Sequence, residues 1–239
     1  VGTAPNGSNI NDNVGSTAPN SIIERVKAEK ADCGIAFDGD GDRLLIIDEN
    51  GRPFDGDDIL YLLATARKEK AVVGTIMSNL GFELALKERG IELLRSKVGD
   101  RYVLELLNEK GLTIGGENSG HILCLDAHST GDGMIAALQT LETLNTVGAT
   151  FGAILNEIPK TVQVMHNVRI TKDTVWDTPA LKTAMDEIET ALAGKGRILI
   201  RPSGTEPVVR VMVESHDFDT CEKHTIALAD IIRASAEAA

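Results

Sequence analysis

Six residues, Asp38-Gly39-Asp40-Gly41-Asp42-Arg43, lie between two short apolar runs, 33–37 and 44–48. Those runs read as strands, so a tight loop between them must carry three carboxylates at alternate positions. Carboxylates held that close repel one another unless a cation sits among them. The glycines let the backbone curl so that the oxygens converge. Hard oxygen donors in this number suit Mg²⁺ or Ca²⁺ rather than zinc. Spacing alone leaves two other readings open. A calcium EF-hand would use Asp38, Asp40, Asp42 and Glu49 at its loop positions 1, 3, 5 and 12. It also needs Gly at position 6, where Arg43 stands, and helices rather than strands on its flanks. The plainer reading is a solvated acidic turn, since Asp-Gly pairs are common in turns.

Around this loop the apolar periodicity switches repeatedly between strand and helix. Helices are predicted over 21–29, 57–67, 80–89, 100–109 and 132–145, with Gly90 and Gly111 placed as stops. Strands are predicted over 71–76, 91–94, 112–114 and 121–125, and Glu49-Asn50-Gly51 marks a turn. Such alternation implies βαβ units and a parallel sheet. The tail differs: strand 161–170, helix 178–192, strands 197–200 and 208–214, then helix 220–238. That order reads as a smaller α+β domain with helices on one face of a mostly antiparallel sheet. Residues 156–160, with Pro159, form the expected linker.

Two further loops carry chemistry. Gly115-Gly116-Glu117-Asn118-Ser119-Gly120-His121 offers a carboxylate, an amide, a hydroxyl and an imidazole for hydroxyl recognition and proton exchange. It also reads as a polar turn between strands. Arg201-Pro202-Ser203-Gly204-Thr205-Glu206-Pro207, with Arg210 just beyond, combines small residues, hydroxyls and two forked guanidinium groups. That set matches a phosphate's oxygens. It lacks the Gly-Lys-Ser/Thr ending of a Walker loop, and a β-turn with surface arginines is the plain alternative.

Charge narrows the partners. With 36 acidic against 24 basic residues the formal charge is −12, which disfavours broad nucleic-acid binding. A few converging arginines still suffice for a small anion. Aromatic residues make up only 3%, so the core must rest on aliphatic side chains. Three scattered cysteines, with no CxxC pair, suit a reducing cytoplasm rather than a disulfide framework. No apolar run reaches membrane-span length and no leader is visible, so a cytoplasmic, membrane-free protein is expected. Position 1 is Val and the first twenty residues are loop-like, so the chain is expected to be part of a longer one. The oligomeric state, a homodimer included, is left open.

In this order the three loops resemble the metal, sugar and phosphate loops of the α-D-phosphohexomutase family, and the resemblance covers nearly the whole chain. It implies that 1–54 is the end of a second domain, 55–158 a third α/β domain, and 159–239 a fourth, α+β domain. It further implies a cleft where Asp38, Asp40 and Asp42 hold Mg²⁺ and Arg43 contacts the same phosphate. Asp100, Arg101, Glu117, Asn118 and Ser119 would bind the phosphosugar, with His121 a proton carrier. Arg201, Ser203, Gly204, Thr205 and Arg210 would clamp the phosphate that is not reacting. Asn9-Ile10-Asn11 with Gly15-Ser16-Thr17, Val98-Gly99-Asp100-Arg101-Tyr102-Val103 and Ser129-Thr130-Gly131-Asp132-Gly133 resemble the branch acting on glucosamine phosphates. Asn118 stands where that branch more often has Gln and the mannose- and glucose-phosphate branches usually have Met. The family transfers phosphate through a phosphoserine in a Ser-His-Asn-Pro-like stretch, which does not occur here. The resemblance therefore implies missing N-terminal domains as partners and an inactive isolated chain. A mannose- or glucose-phosphate mutase, and a non-catalytic phosphosugar-binding protein, are the competing expectations.

Overall fold

The computed structural model describes residues 1–171, 174–203 and 206–237. The chain divides into two compact units, Val1–Pro159 and Lys160–Ala239.

The first unit opens with loop and helix α1 (Asn20–Glu29), then β1 (Gly34–Phe37), β2 (Leu44–Ile47) and β3 (Pro53–Phe54). These strands form an antiparallel sheet in the order β1-β2-β3. The acidic loop joins β1 to β2. Next come α2 (Gly56–Arg67), β4 (Ala71–Thr75), α3 (Leu80–Glu88), β5 (Glu92–Ser96), α4 (Asp100–Lys110), β6 (Ile114–Gly116), β7 (Ile122–Cys124), α5 (Gly133–Val147) and α6 (Phe151–Leu155). The second sheet runs β5-β4-β6-β7. Crossovers through α3 and α4 make β5 and β6 parallel to β4, as expected. Only the short Glu117–His121 stretch connects β6 to β7, too short for a crossover, so β7 is antiparallel.

Helix α2 is the pillar of this unit. Asp55 caps it in a reciprocal capping box with Asp58. Its run Ile59-Leu60-Tyr61-Leu62-Leu63 is apolar all round, and a helix of that kind must be enclosed. Each of those five side chains is at most 1% exposed. Full burial of one such side chain contributes roughly 1.5–3 kcal/mol. The Phe54 and Phe151 rings meet edge to face at 5.0 Å in the same core. Neither β3 nor α6 is anticipated by the sequence. β3 is a two-residue strand with Pro at its start, and α6 spans five residues, too few to show a period.

The second unit holds β8 (Val162–Arg169), α7 (Pro179–Leu192), β9 (Gly196–Pro202), β10 (Val208–Ser215) and α8 (Phe218–Glu237). Its sheet, ordered β8-β10-β9, is antiparallel throughout. Val209, Val211 and Val213 alternate along β10 and bury against Leu181 and Ile188 of α7 and Leu228 and Ile232 of α8. The helices thus share one face of the sheet, as the tail's element order implies. Thr178 caps α7, with Pro179 in its first turn. Among the described residues, no helix is long and apolar enough to cross a membrane.

Candidate functional site

The acidic loop closes on itself. Asp38 N donates to Arg43 O at 3.4 Å, and Arg43 N donates back to Asp38 Oδ1 at 3.1 Å. Asp38 is buried, Asp40 exposed and Asp42 between the two, and one oxygen from each lies within 4.8 Å of the others. Arg43 Nε stands 3.0 Å from Asp38 Oδ2 and 3.8 Å from Asp42 Oδ1. Those two oxygens are buried and have no hydrogen-bond partner among the described residues. One guanidinium against three carboxylates leaves a local charge of about −2, which a divalent cation neutralises. The all-oxygen donor set fits Mg²⁺, and β1 and β2 on the flanks are not the helices of an EF-hand.

The second loop is the β6–β7 hairpin. Gly115 and Gly116 belong to β6 rather than to the loop, which is tightened by Gly120 N donating to Glu117 O at 3.0 Å. It is bound edge-on to the acidic loop. Leu44 N donates to Gly120 O at 3.0 Å, and Arg43 and His121 form an antiparallel bridge. Gly120 has φ +95°, and a Cβ there would come 2.0 Å from Leu44 O. Only glycine allows this approach. His121 Nδ1 lies 3.0 Å from Asp42 Oδ2. Glu117 Oε1 accepts from Gly99 N at 2.9 Å, while Asn118 and Ser119 stay exposed.

Asp100 sits exposed in the first turn of α4, beside that Gly99 amide. Arg101 turns along the helix surface and pairs with Glu105 at 2.8 Å. Two glycines of stretches already singled out in the sequence contribute through backbone, a role the sequence does not show: Gly99, and Gly133, whose N–H donates to Gly41 O at 2.9 Å.

The third loop lies in the second unit. Arg201 on β9 stands directly opposite Arg210 on β10. Burial, and then the Arg210 charge, hold the Arg201 pKa below its ordinary value. Arg210 Nη2 donates to Glu206 Oε2 at 3.2 Å, but its Nε is buried with no hydrogen-bond partner among the described residues. Ser203 N donates to Val208 O at 2.8 Å, and Glu206 N to Ser203 Oγ at 3.3 Å. Gly204 and Thr205 of the predicted loop lie outside the described residues.

Fold and loops together define an α/β protein with a divalent-cation site, followed by a small α+β unit that carries an arginine loop. Residues 2–51, 55–162 and 165–229 match, respectively, the phosphoglucomutase/phosphomannomutase alpha/beta/alpha domain II, alpha/beta/alpha domain III and C-terminal domain. The chain belongs to this family, the α-D-phosphohexomutases. It is 51% identical over 235 residues to a phosphoglucosamine mutase of Ralstonia pickettii, covering 96% of this chain and 53% of that one. A phosphoglucosamine mutase of Cupriavidus pinatubonensis is 50% identical over 240 residues, 98% and 54% of the two chains. The chain thus spans about half the length of the curated relatives it matches. Among solved structures, an Aspergillus fumigatus N-acetylphosphoglucosamine mutase shares the fold at TM-score 0.75 and 20% identity, covering 97% of this chain and 55% of its own. A family protein from Burkholderia thailandensis does so at TM-score 0.71 and 24% identity, covering 92% and 50%.

Proposed function

We propose that this polypeptide is the cation-, sugar- and phosphate-holding part of a phosphoglucosamine mutase. The whole protein would interconvert glucosamine 6-phosphate and glucosamine 1-phosphate, by way of a phosphoserine and a bisphosphate, in the cytoplasm. The observation that carries this reading is the seam between the acidic loop and the Glu117–His121 hairpin, which sets hydroxyl-binding groups beside a cation site. Identity of about half the residues to phosphoglucosamine mutases supports the choice of sugar. Residues 1–54, 55–158 and 159–239 would be the end of domain two, domain three and domain four.

Phosphoryl transfer needs alignment and charge neutralisation more than covalent help. Asp38, Asp40 and Asp42 would hold Mg²⁺, which would supply neutralisation of the phosphoryl oxygens. Arg43 adds forked donors to the same phosphate. Glu117 and Ser119 bind sugar hydroxyls, with one Glu117 oxygen fixed by Gly99 and the other left for substrate. The exposed Asn118 presents an amide, which can donate to or accept from the sugar amine. Asp100 and Arg101 would bind the phosphosugar as well. Arg201, Ser203 and Arg210, with Gly204 and Thr205, would bind the phosphate that is not reacting. The serine comes from residues outside these 239, so this chain alone binds but does not turn over.

The test is a phosphosugar conversion assay on the full-length protein with glucosamine, mannose and glucose phosphates, and on the 239-residue chain. Preferred turnover of glucosamine phosphate by the former, and none by the latter, is the expected result. Preference for mannose or glucose phosphate would reassign the branch. Full turnover by the 239 residues would sink the division of labour.

A further inference from the structure

Side chains along β1 alternate between the two faces of the first sheet. A Cβ on Gly34 would meet Val26 and Ile22 of α1, so Gly34 and Ala36 face that helix. Ile35 and Phe37 face the other way, opposite Ile46 and Leu44 of β2. Helix α5 lies against β2, and Leu44 and Ile46 are fully buried in a core that includes Ala136 and Ala137. One strand over, Ile35 and Phe37 are only half-buried. The cover on this face therefore thins between β2 and β1. Beside it, α5 presents Met134 and Leu138 at 66% and 64% exposure. Residues four apart share one helix face. Phe37 adjoins its start, since a Cβ on Gly133 would come 2.8 Å from the Phe37 ring. Single exposed apolar residues are ordinary on a surface, but an apolar stripe continuous with a half-covered strand marks an interface. Among the described residues β1 pairs with β2 alone, so its outer edge is open as well.

The domain match says what belongs there. Residues 2–51 match an alpha/beta/alpha domain, yet among the described residues they hold one helix, α1, on one face of the sheet. A layered domain of that kind carries helices on both faces. The chain spans about half the length of its curated relatives, so the rest of such a domain has polypeptide to come from. We infer that Met134 and Leu138 of α5, with Ile35 and Phe37 of β1, seat an amphipathic helix from the part of the full-length protein that precedes residue 1. That helix is the second helical layer of domain II, and α5, which follows β7 of domain III, is the wall it leans on. Gly133 opens α5 and donates its N–H to Gly41 O, so the seat is joined to the acidic loop. This inference rests on the reading of the chain as part of a mutase, and goes beyond it by naming the surface that holds the remainder.

The experiment is photocrosslinking of the full-length protein carrying Leu138→p-benzoylphenylalanine, read by gel and by mass spectrometry of the tryptic peptides. The expected adduct runs at the mass of a single chain. It joins position 138 to a peptide preceding residue 1, with apolar residues at three- and four-residue spacing. An adduct to any other segment, an adduct at twice the mass that joins two copies, or no adduct would overturn the inference. If the bulky side chain prevents folding, Leu138→Cys decides. Its thiol should resist iodoacetamide in the native full-length protein at every protein concentration and react after unfolding in urea. Labelling in the native protein as fast as in urea would overturn the seat, and so would protection that is lost on dilution. Conversion of glucosamine phosphate by the unsubstituted protein is measured alongside. The adduct without conversion leaves the seat standing and sinks the mutase reading, and conversion without the adduct does the reverse.

Discussion

Arg201 and Arg210 face each other across neighbouring antiparallel strands, and no carboxylate separates them at that rung of the ladder. Like charges directly opposite are destabilising. Glu206 reaches one Arg210 nitrogen, and the buried Nε is left over. The pair is therefore strained by charge until an anion arrives. Phosphate should raise the melting temperature of the chain, by an amount equivalent to about 2.7 kcal/mol at a hundredfold excess over Kd. Arg210→Gln should remove most of that increment while leaving the phosphate-free protein as stable or more so. Differential scanning calorimetry with and without phosphate checks both halves. An increment that survives in Arg210→Gln would mean phosphate acts elsewhere.

The seam between the acidic loop and the hairpin depends on Gly120. Its φ of +95° is strained for any other residue, and a Cβ would overlap Leu44 O. Strain of that kind costs roughly 1–3 kcal/mol, and the overlap adds to it. Gly120→Ala should lower the urea midpoint and weaken binding of both Mn²⁺ and glucosamine 6-phosphate, because the hairpin must leave β2. A variant with wild-type midpoint and wild-type binding would show that the seam is dispensable.

Cys124 reports on the closure of the first unit. It lies buried on β7, and burial pushes its thiol pKa up to about 11 despite the nearby Arg67. Few thiolates exist there at pH 8, and reagents cannot reach them. Iodoacetamide should leave Cys124 unmodified in the folded chain and label it after unfolding. Mass spectrometry of the tryptic peptides reads this directly. Rapid labelling of the native protein would contradict the packing described for β7.

Much of this architecture can be read from residue order. The Ile59–Leu63 run announces an enclosed helix, and the Asp-Gly repeat announces a cation loop. Thr178-Pro179 marks the start of α7. What cannot be read is how loops distant in sequence meet. Leu44 and Gly120 are joined through main-chain atoms, and no side-chain pattern records such a bond. The same holds for Gly99 and Glu117. Short elements held by tertiary contact, such as α6 against Phe54, lack the length for periodicity to show. The loops' chemistry was therefore more legible than their geometry. The 3.0 Å contact between His121 and Asp42 belongs to the geometry.

The turn between β2 and β3 gives a pH-dependent test. Asp48 is fully buried there. Burial by itself would raise its carboxyl pKa. Hydrogen bonds from the Arg52 amide and guanidinium and from Asn50 N outweigh it, and hold the pKa below the ordinary 3.8. Arg52 Nε donates to Asp48 Oδ2 at 2.7 Å, and its terminal nitrogens reach Asn156 Oδ1 and Gly152 O, tying the turn to α6. A carboxyl depressed in the folded state stabilises it while ionised. The contribution is complete above pH 3.8 and is lost as the pH falls through the lower folded value. Arg52→Ala should cost on the order of 1.5–3 kcal/mol at pH 7, the worth of hydrogen bonds to a charged group. Against Asp48→Asn, the wild type's advantage should shrink steadily below pH 3.8. Urea denaturation of the three proteins between pH 7 and pH 3 measures this. An advantage that stays constant to the acid end would mean the Asp48 charge contributes nothing to holding the turn.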